Sequence, residues 1–354
     1  MMTSQERIKL LLDHKEADRI GKMDHYWWQA IEDFKAAGMP SDADPADYFD
    51  YDIRNIGFDS SFQLPRETIE ETDDYTIAST EWGGVERNWK HVQSTPKLIE
   101  FACDTREKWE ERFKSLKRPN PTRLNISEAR KNYDAWRGQG RFICFSILEA
   151  FEATWRQCGP EVQLESLVLD PDWILDMYRA DTELCAWAFE ELWAAGIEFD
   201  GMWLLGDVAY KNGPMISPRM YREMLMPFHK RLSDLAHSKG CKVIYHGCGN
   251  NNQLVPLFIE AGIDCLQPLE VKAGMDVREL KAQYGGAMSF MGNIDARLFQ
   301  TNDLAGLERE IRDKVTVAKV GGGYIFHSDH SIPPGTTLET YRFAMEMVEK
   351  YGRY

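Results

Sequence analysis

From about residue 140 to the C-terminus, short apolar runs alternate with longer stretches whose apolar residues recur at i, i+3 and i+4. The runs are "RFICFSI", "GIEFDGMWLLGD", "CKVIYHG", "GIDCLQP", "AMSFMGN" and "GGYIFHS"; the helical patterns between them include 218–239, 252–261, 277–284 and 304–318. Alternation of this kind builds βα units on a parallel sheet. Two α/β architectures satisfy it, the doubly wound sheet and the closed (β/α)8 TIM barrel. A doubly wound nucleotide binder would carry G-x-G-x-x-G after an early strand, and the chain has none there. The pattern therefore predicts a TIM barrel. Six strands follow residue 140, and "RIGKMDHYW" and "NIGFDSSFQ" are the candidates for the other two. Residues 75–92, "YTIASTEWGGVERNWKHV", read as a hairpin with a Gly-Gly turn inserted on the barrel. The expectation is one domain over residues 1–354, with an N-terminal extension.

Charge and composition narrow the partners. With 57 acidic against 42 basic residues, the chain carries a net charge of −15. Nucleic acid and anionic membranes bind concentrated basic surface, which is absent, so small molecules or proteins are the expected partners, with a small-molecule substrate foremost. No apolar run approaches the ~18 residues of a membrane span. The start "MMTSQERIKLLLDHKEADR" lacks a signal-peptide pattern, and a cytoplasmic protein is expected. Seven scattered cysteines do not form a disulfide framework. Cys103, Cys144, Cys158, Cys185, Cys241 and Cys265 read as reduced, buried small hydrophobes.

Barrel enzymes build their sites at the C-terminal ends of the strands. Applied here, the rule selects Asp207 after "GMWLLG", His246 and Cys248 after "KVIY", Glu270 after "DCLQPL", Asn293 and Asp295 after "SFMG", and His327, Asp329 and His330 after "GYIF". His246 and Cys248, at i and i+2 on extended backbone, face the same way, and imidazole nitrogen with thiolate sulfur is a zinc donor pair. His330 and Glu270 are the candidates to complete it. Alternatively, His246 hydrogen-bonds a substrate and Cys248 is a packed thiol. Asp207, Asn293 and His327 are candidate catalytic groups, and His25, Trp28 and Asp329 candidate substrate contacts. Asp200 and Asp207 together exceed what capping of one strand end needs. "GNID" also reads as a tight turn in which Gly292 and Asn293 take unusual dihedrals and Asp295 caps the next helix. Asn250–Asn252 are expected to cap the helix after the His-Gly-Cys turn.

The ordered blocks "GPMISPRMYREMLMPFHKRLSDLAHSKGCKVIYHGCGN", "FIEAGIDCLQPLEVKAGMDVRELKAQYG", "FMGNID" and "GGGYIFHSDHSIPPGTTLETY" resemble the uroporphyrinogen decarboxylase superfamily, over about residues 135–352. The resemblance implies a (β/α)8 barrel. Porphyrinogen decarboxylases carry an Arg-Gln-Ala-Gly-Arg-Tyr motif near the N-terminus, whose arginines hold the substrate's carboxylates. The corresponding place here reads "KMDHYWWQAIEDF", without arginine. The cobamide-dependent methyltransferases of the superfamily bind zinc through a His-x-Cys pair, a later acidic residue and a cysteine on the last strand. By that resemblance His246 and Cys248 match the pair and Glu270 the acidic position, while His330 stands in the place of the cysteine. The implied activity is methyl transfer between a cobamide and a small molecule, with zinc holding an acceptor thiol as thiolate. The chain lacks a D-x-H-x-x-G cobamide motif, since Asp329 and His330 are adjacent. A corrinoid would then be brought by a partner protein. Two alternatives stand beside this one: a metal-free lyase acting on a small carboxylate with Asp207 and His330 as acid and base, and a non-catalytic ligand-binding barrel.

Overall fold

The computed structural model describes residues 2–91 and 94–354. Two short strands, β1 (Gly21–Lys22) and β2 (Ile53–Ile56), precede an antiparallel insertion of β3 (Thr68–Glu71), β4 (Tyr75–Ser79), β5 (Gly84–Trp89) and β6 (Lys97–Phe101). Then come β7 (Phe142–Leu148), β8 (Gly201–Leu205), the small hairpin β9 (Ala209–Tyr210) and β10 (Gly213–Pro214), β11 (Lys242–His246), β12 (Cys265–Gln267), β13 (Ser289–Met291) and β14 (Tyr324–Phe326). Eight of these form one sheet in the order β1-β14-β13-β12-β11-β8-β7-β2, with every neighbouring pair parallel. Helices follow the strands, and the architecture is the expected (β/α)8 barrel.

Asp52 draws the two edges of this sheet together. Its N–H donates to the Lys22 carbonyl at 2.8 Å, and its carboxylate accepts the Lys22 N–H at 2.7 Å. The same carboxylate is buried and pairs with Arg7 and Arg19 at 2.7 and 2.8 Å. A buried carboxylate with this many partners is satisfied, where an unpaired one would be costly.

The core lies in two layers. Met23, Ile53, Phe142, Cys144, Trp203, Ile244, Cys265, Met291 and Ile325 form a cluster inside the barrel, separate from the larger one between sheet and helices. The N-terminal extension is the helix Ser4–Leu12, started by a Thr3–Glu6 capping box, and it adds Ile8, Leu11 and Leu12 to the interior cluster. Gln5 N–H bonds the carbonyl of Gly140, just before β7, so this helix seals the end where the strands begin. Gly21 permits the approach: a Cβ there would lie 2.3 Å from the Ile8 side chain. With one mouth plugged by apolar residues, the other is left for polar chemistry.

Three details differ from the sequence reading. The second strand begins at Ile53 rather than within "NIGFDSSFQ", because Arg54 interrupts the apolar pattern while lying buried against Asp47. The expected hairpin exists as β4 and β5, but β3 and β6 flank it to make a four-stranded sheet. β3, "TIEE", is exposed along its whole length and offers no alternation to read. The last residue of the predicted hairpin, Val92, lies outside the described residues. Asp200 sits just before β8, at the sealed end, where it accepts hydrogen bonds from Gln5, Arg137 and the Ile143 N–H, far in role from Asp207. Among the described residues no helix is long and apolar enough to cross a membrane.

Candidate functional site

Strand register assembles the site. Leu205, His246 and Gln267 are direct partners across β8, β11 and β12. Side chains of paired residues on adjacent parallel strands emerge on the same face about 4.8 Å apart. Ile244 and Cys265 face the barrel interior, so His246 and Gln267, two residues further on, rise into the open mouth above them. By the same periodicity His327 stands above Ile325 and His25 above Met23. A polar layer thus caps the apolar interior, its edge touched by Trp203, whose ring meets that of His25 edge-on at 5.8 Å.

The hydrogen bonds of this layer fix its tautomers. His327 Nδ1 lies 2.6 Å from the Ser328 carbonyl, which can only accept, so Nδ1 carries the proton. Burial, with His25 nearby, holds the His327 ring well below the usual imidazole range and hence neutral, leaving Nε2 as an acceptor. His25 Nδ1 donates to it at 2.9 Å and Gln267 Nε2 at 3.1 Å. Gln267 therefore turns its Oε1 toward His246 Nδ1, 2.5 Å away, and His246 Nδ1 must donate. The other nitrogen, His246 Nε2, is thereby the one turned toward Cys248 and Asp207. His25 is pushed down to about 4 by burial and by His246, so it too is neutral near pH 7.

His246 Nε2 lies 3.7 Å from Cys248 Sγ and 3.8 Å from Asp207 Oδ1. Among the described residues, Asp207, His246 and Cys248 are the group of three whose donor atoms lie within 4.8 Å of one another. Metal bonds of about 2.0–2.3 Å in a tetrahedron place donors about 3.3–3.8 Å apart, so the sulfur and the oxygen each stand at ligand spacing from the nitrogen. Burial, followed by Asp207 and Glu270, pushes the Cys248 thiol well up, so without a cation it stays protonated.

The backbone holding these donors is tied at every step. The N–H groups of Gly247, Cys248, Gly249 and Asn250 donate to Gln267 O, Asp207 Oδ1, Glu270 Oε2 and Tyr210 O at 2.8–2.9 Å. Gly249 has φ +83, and a Cβ on it would lie 2.7 Å from the Ala209 backbone. Asn251 turns its amide back onto the carbonyls of Gly247 and Cys248 rather than capping the helix Val255–Glu260, which has no side-chain N-cap.

The remaining sequence-selected residues fall around this group. Glu270 is buried, bonded to the Gly249 N–H and paired with Lys272 at 2.8 Å; neither it nor His330 belongs to the three-donor cluster. His330 stacks on Trp27, ring centroids 6.4 Å apart. Trp28 is 58% exposed. Asp329 is buried and accepts the N–H groups of Val271 and Ala296, and burial raises its carboxyl. Asn293, at φ +71, commits its side chain to Leu269 O, Met275 O and the Val277 N–H, and Asp295 caps the helix Ala296–Gln300, as the tight-turn reading expects. The six cysteines read as hydrophobes are buried, and Cys248 alone among the seven is half-buried.

Two residues escaped the sequence reading. Gln267 was visible as the single amide in phase with Cys265 on its strand. Asp24, buried beneath His327, accepts from Ser328 Oγ and, at 2.9 Å, from Tyr341 OH; burial raises its carboxyl to about 7. Its signal was an acid directly beside His25 at a strand end.

Beside the donor group lies a cavity of about 240 Å³ reached by Asp207 and walled by Phe151, Trp155, Leu164 and Met215. The wall helix Ala150–Cys158 starts at Glu149, whose side chain accepts the N–H groups of Phe151 and Glu152. Glu152 in turn accepts from the Trp155 indole at 2.9 Å and the Asp207 N–H at 3.3 Å. One acid therefore ties the cavity wall to the candidate ligand.

Comparison with known proteins agrees with this architecture. The chain is 27% identical over 219 residues to the methylated-thiol–coenzyme M methyltransferase of Methanosarcina mazei, a match covering 61% of this chain and 54%, about half, of that protein's length. Its fold is similar to that of a solved methyltransferase from Methanosarcina mazei, with a TM-score of 0.69 at 16% identity over 99% of each chain. The uroporphyrinogen decarboxylase (URO-D) family model matches residues 180–351, the stretch that holds Asp207, His246 and Cys248. Over those residues the chain is similar to the uroporphyrinogen decarboxylase family, and both proteins it resembles here bear the name methyltransferase.

Proposed function

We propose that the chain is a zinc-dependent methyltransferase, moving a methyl group between a cobamide carried by a partner protein and a small molecule. The observation that carries this reading is the convergence of Cys248 Sγ and Asp207 Oδ1 on His246 Nε2, at 3.7 and 3.8 Å, with the three donor atoms within 4.8 Å of one another. Of the ligands suggested by sequence, His246 and Cys248 are retained; Asp207 takes the third position, and Glu270 and His330 support the surrounding loops. Three protein donors leave a fourth position for substrate, as a catalytic rather than structural zinc requires. Bound zinc would lower the pKa of an acceptor thiol and hold it as the nucleophilic thiolate.

The chain's own residues then have distinct tasks. Gln267 holds the His246 ring with Nδ1–H turned away from the centre. Neutral His25 and His327 keep positive charge out of the mouth, and the apolar cavity wall excludes water from the face beside Asp207. Asp207 also fixes the Cys248 backbone, so both donors move as one unit. The carboxylate-lyase alternative is less well served: among the described residues no Lys or Arg lines the cavity beside Asp207 to receive a substrate carboxylate.

The test is transfer from methylcobalamin to a panel of small thiols, followed by the change in corrin absorbance, with and without zinc. Zinc-dependent demethylation that is lost in His246→Ala supports the reading. Release of carbon dioxide from a small carboxylate by metal-free protein would replace it with the lyase.

A further inference from the structure

The wall of the mouth built by β2 and β7 carries two polar side chains that the metal reading leaves unused. On β2, Arg54 pairs with Asp47 and Ile56 joins the cluster between sheet and helices, whereas Ile53 belongs to the cluster inside the barrel. By alternation Asn55 points inward, one step nearer the mouth than Ile53. On β7, Phe145 and Ile147 face the helices and Cys144 the interior, so Ser146 points inward as well. Both residues are half-buried. Since the helix Ser4–Leu12 closes the opposite end with Ile8, Leu11 and Leu12, solvent reaches Asn55 and Ser146 through the mouth.

Neither side chain is committed elsewhere. Among the described residues, the Asn55 amide and the Ser146 hydroxyl have no hydrogen-bond partner. Asn55 Oδ1 is enclosed, which leaves Nδ2, a donor, as the polar end open to the mouth. The Ser146 hydroxyl both donates and accepts.

Position and charge narrow what such a pair can hold. Ser146 is the register partner of Trp203, whose ring reaches His25 and floors the mouth. β7 stands two strands from β11, roughly 10 Å at about 4.8 Å per strand, and inward-pointing side chains close part of that distance. A group held by Asn55 and Ser146 is therefore a few bonds from an atom held at His246 and Cys248. The inward residues of β2 and β7, which are Ile53, Asn55, Phe142, Cys144, Ser146 and Leu148, include no acid and no base, so an ionised group would sit there without a counter-charge. A hydroxyl matches the pair, because its oxygen accepts Asn55 Nδ2–H while its proton is given to Ser146 Oγ.

We propose that Asn55 and Ser146 select the small-molecule substrate of this site, holding the uncharged hydroxyl of a thiol alcohol whose sulfur meets Asp207, His246 and Cys248. The placement of the sulfur rests on the methyl-transfer reading of those three residues.

The experiment measures thiol binding to the full chain loaded with cobalt(II) in place of zinc, through the thiolate-to-cobalt absorbance. The probes are 2-mercaptoethanol, 1-propanethiol, which replaces the hydroxyl by a methyl group, and 3-mercaptopropionate, which replaces it by a carboxylate. 2-Mercaptoethanol should bind about tenfold more tightly than 1-propanethiol, as two neutral hydrogen bonds allow, and more tightly than 3-mercaptopropionate. Asn55→Ala and Ser146→Ala should each lower the ratio of the two neutral thiols about threefold, and the double variant should bring it to about one. A ratio of affinities within one protein is not moved by a general loss of folded chain. Equal affinity for the two neutral thiols, a ratio unchanged in both single variants, or tightest binding of the carboxylate would overturn the proposal and leave the methyl-transfer reading standing. A chain that takes up neither cobalt nor zinc would overturn that reading, and this proposal with it.

Discussion

Gln267 joins two histidines that lie far apart in sequence, with Oε1 2.5 Å from His246 Nδ1 and Nε2 3.1 Å from His327 Nε2. The amide can serve both only in one orientation, because the Ser328 carbonyl at 2.6 Å already claims the His327 Nδ1 proton. The consequence is a His246 ring prepared as a ligand before any ligand arrives.

Removing that preparation should weaken metal binding more than folding. Gln267→Leu is expected to reduce zinc affinity about 10–100-fold, the usual loss when a ligating histidine's outer partner is removed. Gln267→Glu, which keeps an acceptor for Nδ1–H, should retain affinity closer to the unaltered chain. Competition with a chromophoric chelator, paired with thermal melts, separates the two effects. Equal zinc affinity in all three proteins would contradict the relay.

Asp24 should make stability depend on pH in a particular direction. Burial raises its carboxyl to about 7, partly opposed by hydrogen bonds from Ser328, Tyr341 and the His25 N–H. An unfolded Asp titrates near about 3.9, so between roughly pH 4 and 7 the folded chain holds a proton the unfolded chain has released. Unfolding releases that proton, and this group's contribution to stability therefore falls as pH rises through the window. Asp24→Asn lacks the titration. Measured by urea unfolding at pH 5 and 7.5, the stability of Asp24→Asn relative to the unaltered chain should increase with pH, by up to about 1.4 kcal/mol per unit within the window. Parallel profiles would contradict the assignment.

Asn293 should act through the fold. Its amide makes three hydrogen bonds to the backbone of the segment 269–277, and its φ of +71 disfavours most side chains. Asn293→Ala is expected to lose about 3 kcal/mol of stability, from buried partners left unpaired and from the backbone conformation. A change below about 0.5 kcal/mol, the range of ordinary surface substitutions, would contradict this.

The barrel was readable because its strands after residue 140 are apolar runs between clear helical patterns. Asp207 belonged to the strand ends so identified, and His246 and Cys248 shared a face by simple alternation. Register was not readable. Only the pairing of His246 with Leu205 on one side and Gln267 on the other puts Asp207 beside Cys248 and the amide beside the imidazole. Parallel strands joined by helices carry no turn that fixes such an offset locally, which is why strand-end position alone points to Glu270 and His330, and not to Asp207, as the remaining ligands.

Zinc content per chain decides whether Asp207, His246 and Cys248 bind a metal. Protein purified without chelator, or stripped and then titrated, should hold about one zinc per chain, while His246→Ala and Cys248→Ala should each retain less than about a tenth. Both variants should keep nearly the melting temperature of the metal-free chain, since mouth residues contribute little to the core. An unaltered chain holding less than about a tenth of an equivalent and taking up none on titration would contradict metal binding by these three residues.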